Sequence, residues 1–188
     1  MSEDRRINER AAIDITVDFP DVPVSEFLLL PHQGATVTQW GVSGKLETFQ
    51  HGKKGGNLTQ IYDRAAKRKA HHQDPTGKTG TRVERRIKNP ANGALKLLKG
   101  FPNPFAIMKI VALPHEPPPG EQAYVWELFR HAVEAVGLPT SLAVLPEKKR
   151  TVYRAHLKAH GKPWWDPHAM WSTWHSMVDE LGLVSLGK

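Results

Sequence analysis

Apolar and polar residues alternate most cleanly in two places along the chain. In AAIDITVDF, Ile13, Ile15 and Val17 alternate with Asp14, Thr16 and Asp18. That period of two predicts a strand with one apolar face and one acidic face. In TRVERRIK, Thr81 to Lys88, Val83 and Ile87 share one face, and Arg82, Glu84 and Arg86 share the other. Between them, Thr36 to Val42 and Lys45 to His51 read as strands, with Ser43-Gly44 as a turn and Glu47, Phe49 and His51 on one face of the second. A short β-like run ends at Tyr62, and Arg64 to Ala70 reads as a helical turn or short helix. The intervening GKKGG, Gly52 to Gly56, reads as a basic hairpin loop. A plain hairpin centred near residue 54 sets Glu47 against Ile61 and points Tyr62 to the other side. One bulged residue brings Glu47 and Tyr62 to the same face.

The remaining pattern is mixed, then helical. Val22 to Leu30 reads as a short helix ended by Pro31, HHQDPTGKTG as loop, Asn92 to Lys99 as a short helix, and Ala106 to Leu113 as a strand. PHEPPPGE is a proline-rich linker. Beyond it, Gln122 to Val136 carries a stripe of Trp126, Phe129, Val133 and Val136. Glu147 to His160 is a basic helix with Lys148, Lys149, Arg150, Arg154 and Lys158. Asp166-Pro167 supplies an N-cap and first-turn proline for a last helix with Trp171, Trp174, Val178 and Leu181 on its core stripe. The expected fold is therefore α+β. An antiparallel sheet, with helices on one face and an open charged face, fills residues 1–114. A linker at 115–120 leads to a helical C-terminal region at 121–188.

Composition narrows the class. Hydrophobic residues make up 39% of 188, enough for a core, and there is no cysteine. Disulfide frameworks and thiolate metal sites are excluded. No apolar run approaches a membrane span and the charged N-terminus has no signal-peptide core, so the expectation is a cytoplasmic protein without membrane contact. The net charge is +7, but residues 52–88 hold eleven Lys and Arg against three acids. A field concentrated in that way points to a polyanionic partner. The candidate phosphate contacts are Lys53, Lys54, Arg64, Lys67, Arg68, Lys69, Arg82, Arg85, Arg86 and Lys88.

Two residues within this field carry possible chemistry. Tyrosine is a covalent nucleophile once its proton is removed or its target phosphate is polarised. Glu84, set among arginines, is a carboxylate that can hold a polarising metal ion. Asp14 and Asp18 either guard a strand edge or face a metal, but at about 13 Å apart they cannot share one ion. A half-buried structural Tyr62 on a solvated, charged strand face is the alternative. His71-His72 lacks metal-ligand spacing. His156 and His160 are four apart on a helix, with no adjacent Glu to complete a site.

The chain resembles the Rep_trans-type rolling-circle replication initiators of plasmids and phages. The resemblance rests on IDITVDF, GKLETFQHG, QIYDRAAKRK and TRVERRIK, in that order, from Asp14 to Lys88. It implies a DNA replication initiator, an endonuclease that nicks and rejoins one strand at an origin. Tyr62 would be the nucleophile, forming a covalent 5′-phosphotyrosine. Glu84 would be a metal ligand or orienting acid, with Glu47 and Asp14 or Asp18 as further ligands of Mg²⁺ or Mn²⁺. His51 is a ligand candidate from the face it shares with Glu47. Implied partners are single-stranded or supercoiled origin DNA, a host helicase and a second copy of the chain. Such proteins usually carry a sizeable N-terminal half before the first acidic strand, whereas this chain reaches that strand by Asp14, and Arg64 stands where Lys is common. A DNA-binding regulator or accessory protein of the same fold that does not cut is the alternative. An RNA-binding domain fits less well, because the basic segment has few aromatics to stack bases.

Overall fold

A computed structural model describes residues 12–30, 37–42, 45–52, 57–88, 98 and 100–181. Its strands are β1 (Ala12–Phe19), β2 (Leu28–Leu29), β3 (Val37–Val42), β4 (Lys45–Gly52), β5 (Leu58–Asp63), β6 (Thr81–Lys88) and β7 (Ile110–Val111). Its helices are α1 (Arg64–Ala70), α2 (Ala123–Val136), α3 (Leu138–Ala143), α4 (Glu147–Ala159), α5 (Pro167–Trp171) and α6 (Trp174–Glu180). The fold is α+β, as the pattern predicts.

Five strands form one sheet in the order β1-β6-β5-β4-β3. The β1/β6, β5/β6 and β4/β5 pairs are antiparallel. β6 therefore lies between β1 and β5, and two residues far apart in sequence become neighbours across each rung. Register assigns the faces. Ile15, Phe49, Thr59, Ile61, Val83 and Arg85 fall on one side and are buried. Asp14, Asp18, Tyr62, Arg82, Glu84 and Arg86 fall on the other. Gly52 ends β4 with φ of +112°, and a Cβ there would stand 2.5 Å from the Asn57 carbonyl oxygen, so the hairpin requires glycine.

The chain divides into two units. One comprises 1–24, 38–106 and 166–188, and the other 25–37 and 107–165. This differs from a division at the proline segment, which lies inside the second unit. The last two helices return to the unit that holds the large sheet. In that unit Asp166 accepts hydrogen bonds from the His168 and Ala169 amides and caps α5, as its sequence suggests. The single helix expected beyond Pro167 is broken at Ser172-Thr173. Trp171 and Trp174 nonetheless stack, with ring centroids 4.4 Å apart. Val178 is buried and Leu181 is exposed.

The second unit is built on Trp126, Phe129 and Val133 of α2, packed with Leu138, Leu142, Tyr153 and Leu157. Trp126 and Phe129 both meet Tyr153 edge-on, at 5.0 and 4.8 Å. Val136, at the end of the stripe, is exposed. The Tyr153 hydroxyl donates to Glu121 at 2.8 Å, and burial pushes its pKa up. Arg150 of the basic helix is structural, for it donates to the Ala143 and Leu145 carbonyls at the end of α3. Val22 to Leu30 is not a helix. A single 3₁₀ turn at Val24–Glu26 leads into β2, which pairs with β7. A short continuous apolar run fits either form, and here strand pairing wins. Only Ile110–Val111 of the strand expected at 106–113 forms. The expected turn at 43–44 and helix at 92–99 fall on or largely within positions outside the described residues.

Candidate active site

Tyr62 stands near the end of β5, where period-two structure gives way to a helix. Asp63 makes that change possible. Its side chain accepts from the Ala66 amide at 2.9 Å and caps α1. The Arg64 amide donates to the Gly80 carbonyl at 3.0 Å, which fixes the helix start to the turn before β6. The helix then comes back over the sheet, so that the Lys67 ammonium lies 3.6 Å from the centroid of the Tyr62 ring. The charged face is thus covered at this end by α1, and is not open throughout as the alternation alone suggests.

Across the rung from Tyr62 lies Arg82, and the next residue on that face of β6 is Glu84. The Tyr62 hydroxyl donates to Glu84 Oε2 at 3.2 Å. Tyr62 is 6% exposed. Burial, then the Glu84 charge, raise its pKa above the usual tyrosine value, against an opposing pull from Arg82. The phenol is therefore neutral at physiological pH, and its hydroxyl hydrogen-bonds to a carboxylate.

The two aspartates lie one strand further out. Arg82 donates to both Asp18 oxygens, at 2.6 and 2.8 Å, and Arg86 donates to both Asp14 oxygens, at 2.7 and 2.6 Å. Arg64 also reaches Asp18, at 3.2 Å. These bidentate pairs hold both carboxyls below the ordinary aspartate range. Arg86 lies 3.8 Å from Glu84.

Beside Tyr62, β4, β5 and α1 enclose a cleft of about 230 Å³, lined by Glu47, Thr48, Gln60, Tyr62, Ala66, Lys67, Ala70 and His71. Thr48 is the residue opposite Tyr62, and the hairpin pairs symmetrically about position 55. The described pairing of 48–52 with 58–62 contains no bulge, so register leaves Glu47 with Phe49 and His51 on the Ile61 side, although Glu47 still borders the cleft.

The metal ligands expected from sequence do not come together. His51 is buried on the opposite face, beside Thr59. Asp14 and Asp18 are each gripped by an arginine, and only Glu84 reaches Tyr62. Among the described residues no three His, Asp or Glu side chains are grouped to hold an ion. The donor set as arranged does not fit a divalent metal, since Asp14 or Asp18 would first have to leave its guanidinium to join Glu84, and register sets Glu47 on the opposite face.

The expected phosphate contacts also sort themselves. Arg85 is 8% exposed on the core face, donates to the Thr59 hydroxyl, and has its pKa lowered by burial. It is not placed to meet a phosphate, because its neighbours on β6 alternate and it takes the face of Val83. Arg68 donates to the Asp74 carbonyl at 2.5 Å. Lys69 and Lys88 are exposed, and Lys53 and Lys54 lie outside the described residues. Thr48, Gln60 and His71 of the cleft carry no sequence signal. They become neighbours only through hairpin register and the return of α1.

No protein-family model matches the chain, and no curated protein sequence matches it significantly. Among the described residues no helix is long and apolar enough to cross a membrane.

Proposed function

We propose that the chain nicks and rejoins a DNA strand through Tyr62, as an initiator of rolling-circle replication. The observation that carries the reading is the hydrogen bond from the Tyr62 hydroxyl to Glu84, on a sheet face with Arg82 and Arg86 and with Lys67 of α1 over the tyrosine ring. Glu84 takes the phenol proton as the tyrosine oxygen attacks phosphorus. The bond from phosphorus to the 3′ oxygen breaks, and that oxygen takes a proton from water. The product is a 5′-phosphotyrosine and a free 3′ hydroxyl. Because a phosphodiester is exchanged for a phosphodiester, the reverse attack rejoins the strand. Tyrosine on a strand and its base on the adjacent strand are held before substrate arrives, so little is spent on ordering them. A replication origin, a helicase and the cytoplasm belong to the same proposal, and rest on the resemblance of Asp14 to Lys88.

A second reading is favoured by one feature, the burial of Tyr62 and the raised pKa that follows. In it the chain binds DNA without cutting it. The two separate in one assay. Protein is incubated with supercoiled plasmid and Mg²⁺ or Mn²⁺, denatured, and examined for DNA attached to Tyr62. The nuclease reading expects an adduct that Tyr62→Phe abolishes. Salt-sensitive binding with no adduct under any condition supports the second reading.

A further inference from the structure

We propose that Lys67 is the cation that meets the scissile phosphate beside Tyr62, and that it does there the electrostatic work for which the resemblance implies a metal ion. The inference rests on the reading of Tyr62 as a nucleophile toward DNA.

Among the described residues Arg64, Arg82, Arg86 and Lys67 lie on or over this sheet face, and the three arginines are already committed. Arg82 is bidentate on Asp18, Arg86 is bidentate on Asp14, and Arg64 also reaches Asp18. Arg82 and Arg86, each bidentate on one carboxylate, have their charge compensated and their planar forks occupied, while Arg64 shares Asp18 with Arg82 and turns another N–H to the Thr79 carbonyl at 3.5 Å. Lys67 differs. Among the described residues its ammonium makes no ion pair or hydrogen bond, and its contact is the face of the Tyr62 ring at 3.6 Å. An ammonium has three donors, and a ring face satisfies none of them as a phosphate oxygen does.

Its place is built rather than accidental. Asp63 caps α1 directly after β5, and Arg64 ties the first turn to Asp18 and to Gly80. Those restraints bring the fifth residue after Tyr62 back over its ring. Lys67 also lines the cleft beside the tyrosine, so a strand entering there meets the ammonium and the phenol together. Burial lowers the Lys67 pKa, and the Glu84 charge opposes this. A partly desolvated cation gains more from an entering anion than one in water does. A phosphate placed next to Glu84 would otherwise face a carboxylate, and Lys67 offsets that repulsion.

As the tyrosine oxygen bonds to phosphorus and the 3′ oxygen leaves, charge builds on the non-bridging oxygens. Lys67 faces that charge and keeps all its protons, while Glu84 holds the one from the phenol. Asp14 and Asp18 stay with their arginines.

The test uses the full chain in two arms. In a Tyr62→Phe background, binding of random-sequence single-stranded oligonucleotides is followed by fluorescence anisotropy over a range of NaCl. Lys67→Met is expected to lower the slope of log K against log salt by about 0.7, the value for one single-strand phosphate contact, and Lys67→Arg to retain it. With Tyr62 present, plasmid adducts are expected to persist in excess chelator and to fall at least about 100-fold in Lys67→Met, as for loss of a transition-state donor. An unchanged slope in Lys67→Met overturns the phosphate contact. Adducts that require Mg²⁺ or Mn²⁺ and ignore Lys67 overturn the inference while leaving the Tyr62 reading in place. Absence of adducts from every protein, with the Lys67-dependent slope intact, removes the nuclease reading and the catalytic half of the inference, and retains the contact.

Discussion

Arg85 and Thr59 allow the face assignment to be tested through stability. Thr59 is 1% exposed, and its hydroxyl accepts a hydrogen bond from the buried Arg85 guanidinium, which has no carboxylate partner among the described residues. Thr59→Val keeps the shape and removes the acceptor. A hydrogen bond to a charged group is worth about 1.5–3 kcal/mol, and the added methyl regains about 0.8 kcal/mol through burial. The expected net loss is about 1–2 kcal/mol, which for a chain of this length is a fall in Tm of roughly 2–8 °C. Arg85→Met removes a charge that burial already disfavours and keeps most of the apolar stem, so it is expected to be neutral or stabilising by about 0–2 kcal/mol. Arg85→Met added to Thr59→Val should recover most of what Thr59→Val loses. Urea denaturation of the four proteins, followed by circular dichroism, gives the cycle. Oligonucleotide binding should be unchanged in Arg85→Met. Wild-type stability in Thr59→Val, or weakened binding in Arg85→Met, would refute the placement of Arg85 on the core face.

Other consequences are open to direct measurement. Gly80→Ala is expected to destabilise the fold by at least about 2 kcal/mol in thermal melts: Gly80 has φ of +82°, and a Cβ would lie 2.2 Å from the Phe19 carbonyl oxygen. Because Asp14 and Asp18 have lowered pKa values in the fold, their ion pairs contribute stability above the unfolded aspartate pKa of 3.8 and lose it as pH falls through the lower folded values. Arg86→Gln should therefore flatten the acid limb of a stability-against-pH curve, and an unaltered limb would count against the Asp14 pair. Glu84→Gln should slow adduct formation, by about 100-fold or more for loss of a general base, with little change in oligonucleotide affinity. Equal loss of both would assign Glu84 to binding alone.

Strand content was legible wherever one face is apolar and the other is not. β1 and β6 follow directly from Ile13, Ile15, Val17 and from Val83, Ile87. The alternation also separates Glu84 from Arg85. What it cannot contain is pairing between segments more than sixty residues apart. Asp14 with Arg86, and Asp18 with Arg82, depend on β6 lying next to β1, and no local period encodes that. The two acids therefore looked available to a metal when their arginines already held them. Hairpin register was similarly ambiguous, since the glycine-rich loop permits a bulge without requiring one, and the outcome places Thr48 opposite Tyr62. The seat of Lys67 required knowing that Asp63 both ends β5 and caps α1. Beyond the proline segment, the stripe on α2 is readable from helical spacing, whereas α4 reads only as a basic helix, and its buried Tyr153 and Leu157 stand out only once it is packed. The return of the last two helices to the unit of the sheet is not readable, because an apolar stripe does not specify which surface covers it.

In the proposed reaction Tyr62 attacks a DNA phosphate with Glu84 as its proton acceptor. The most direct test is to digest the denatured protein–DNA mixture with protease and nuclease and to identify, by mass spectrometry, the peptide that retains a nucleotide. That nucleotide is expected on the tyrosine of the peptide containing Gln60, Ile61 and Tyr62, joined through a 5′ phosphate. A nucleotide on another residue, or nicked DNA formed by Tyr62→Phe at the wild-type rate, would contradict the proposed reaction.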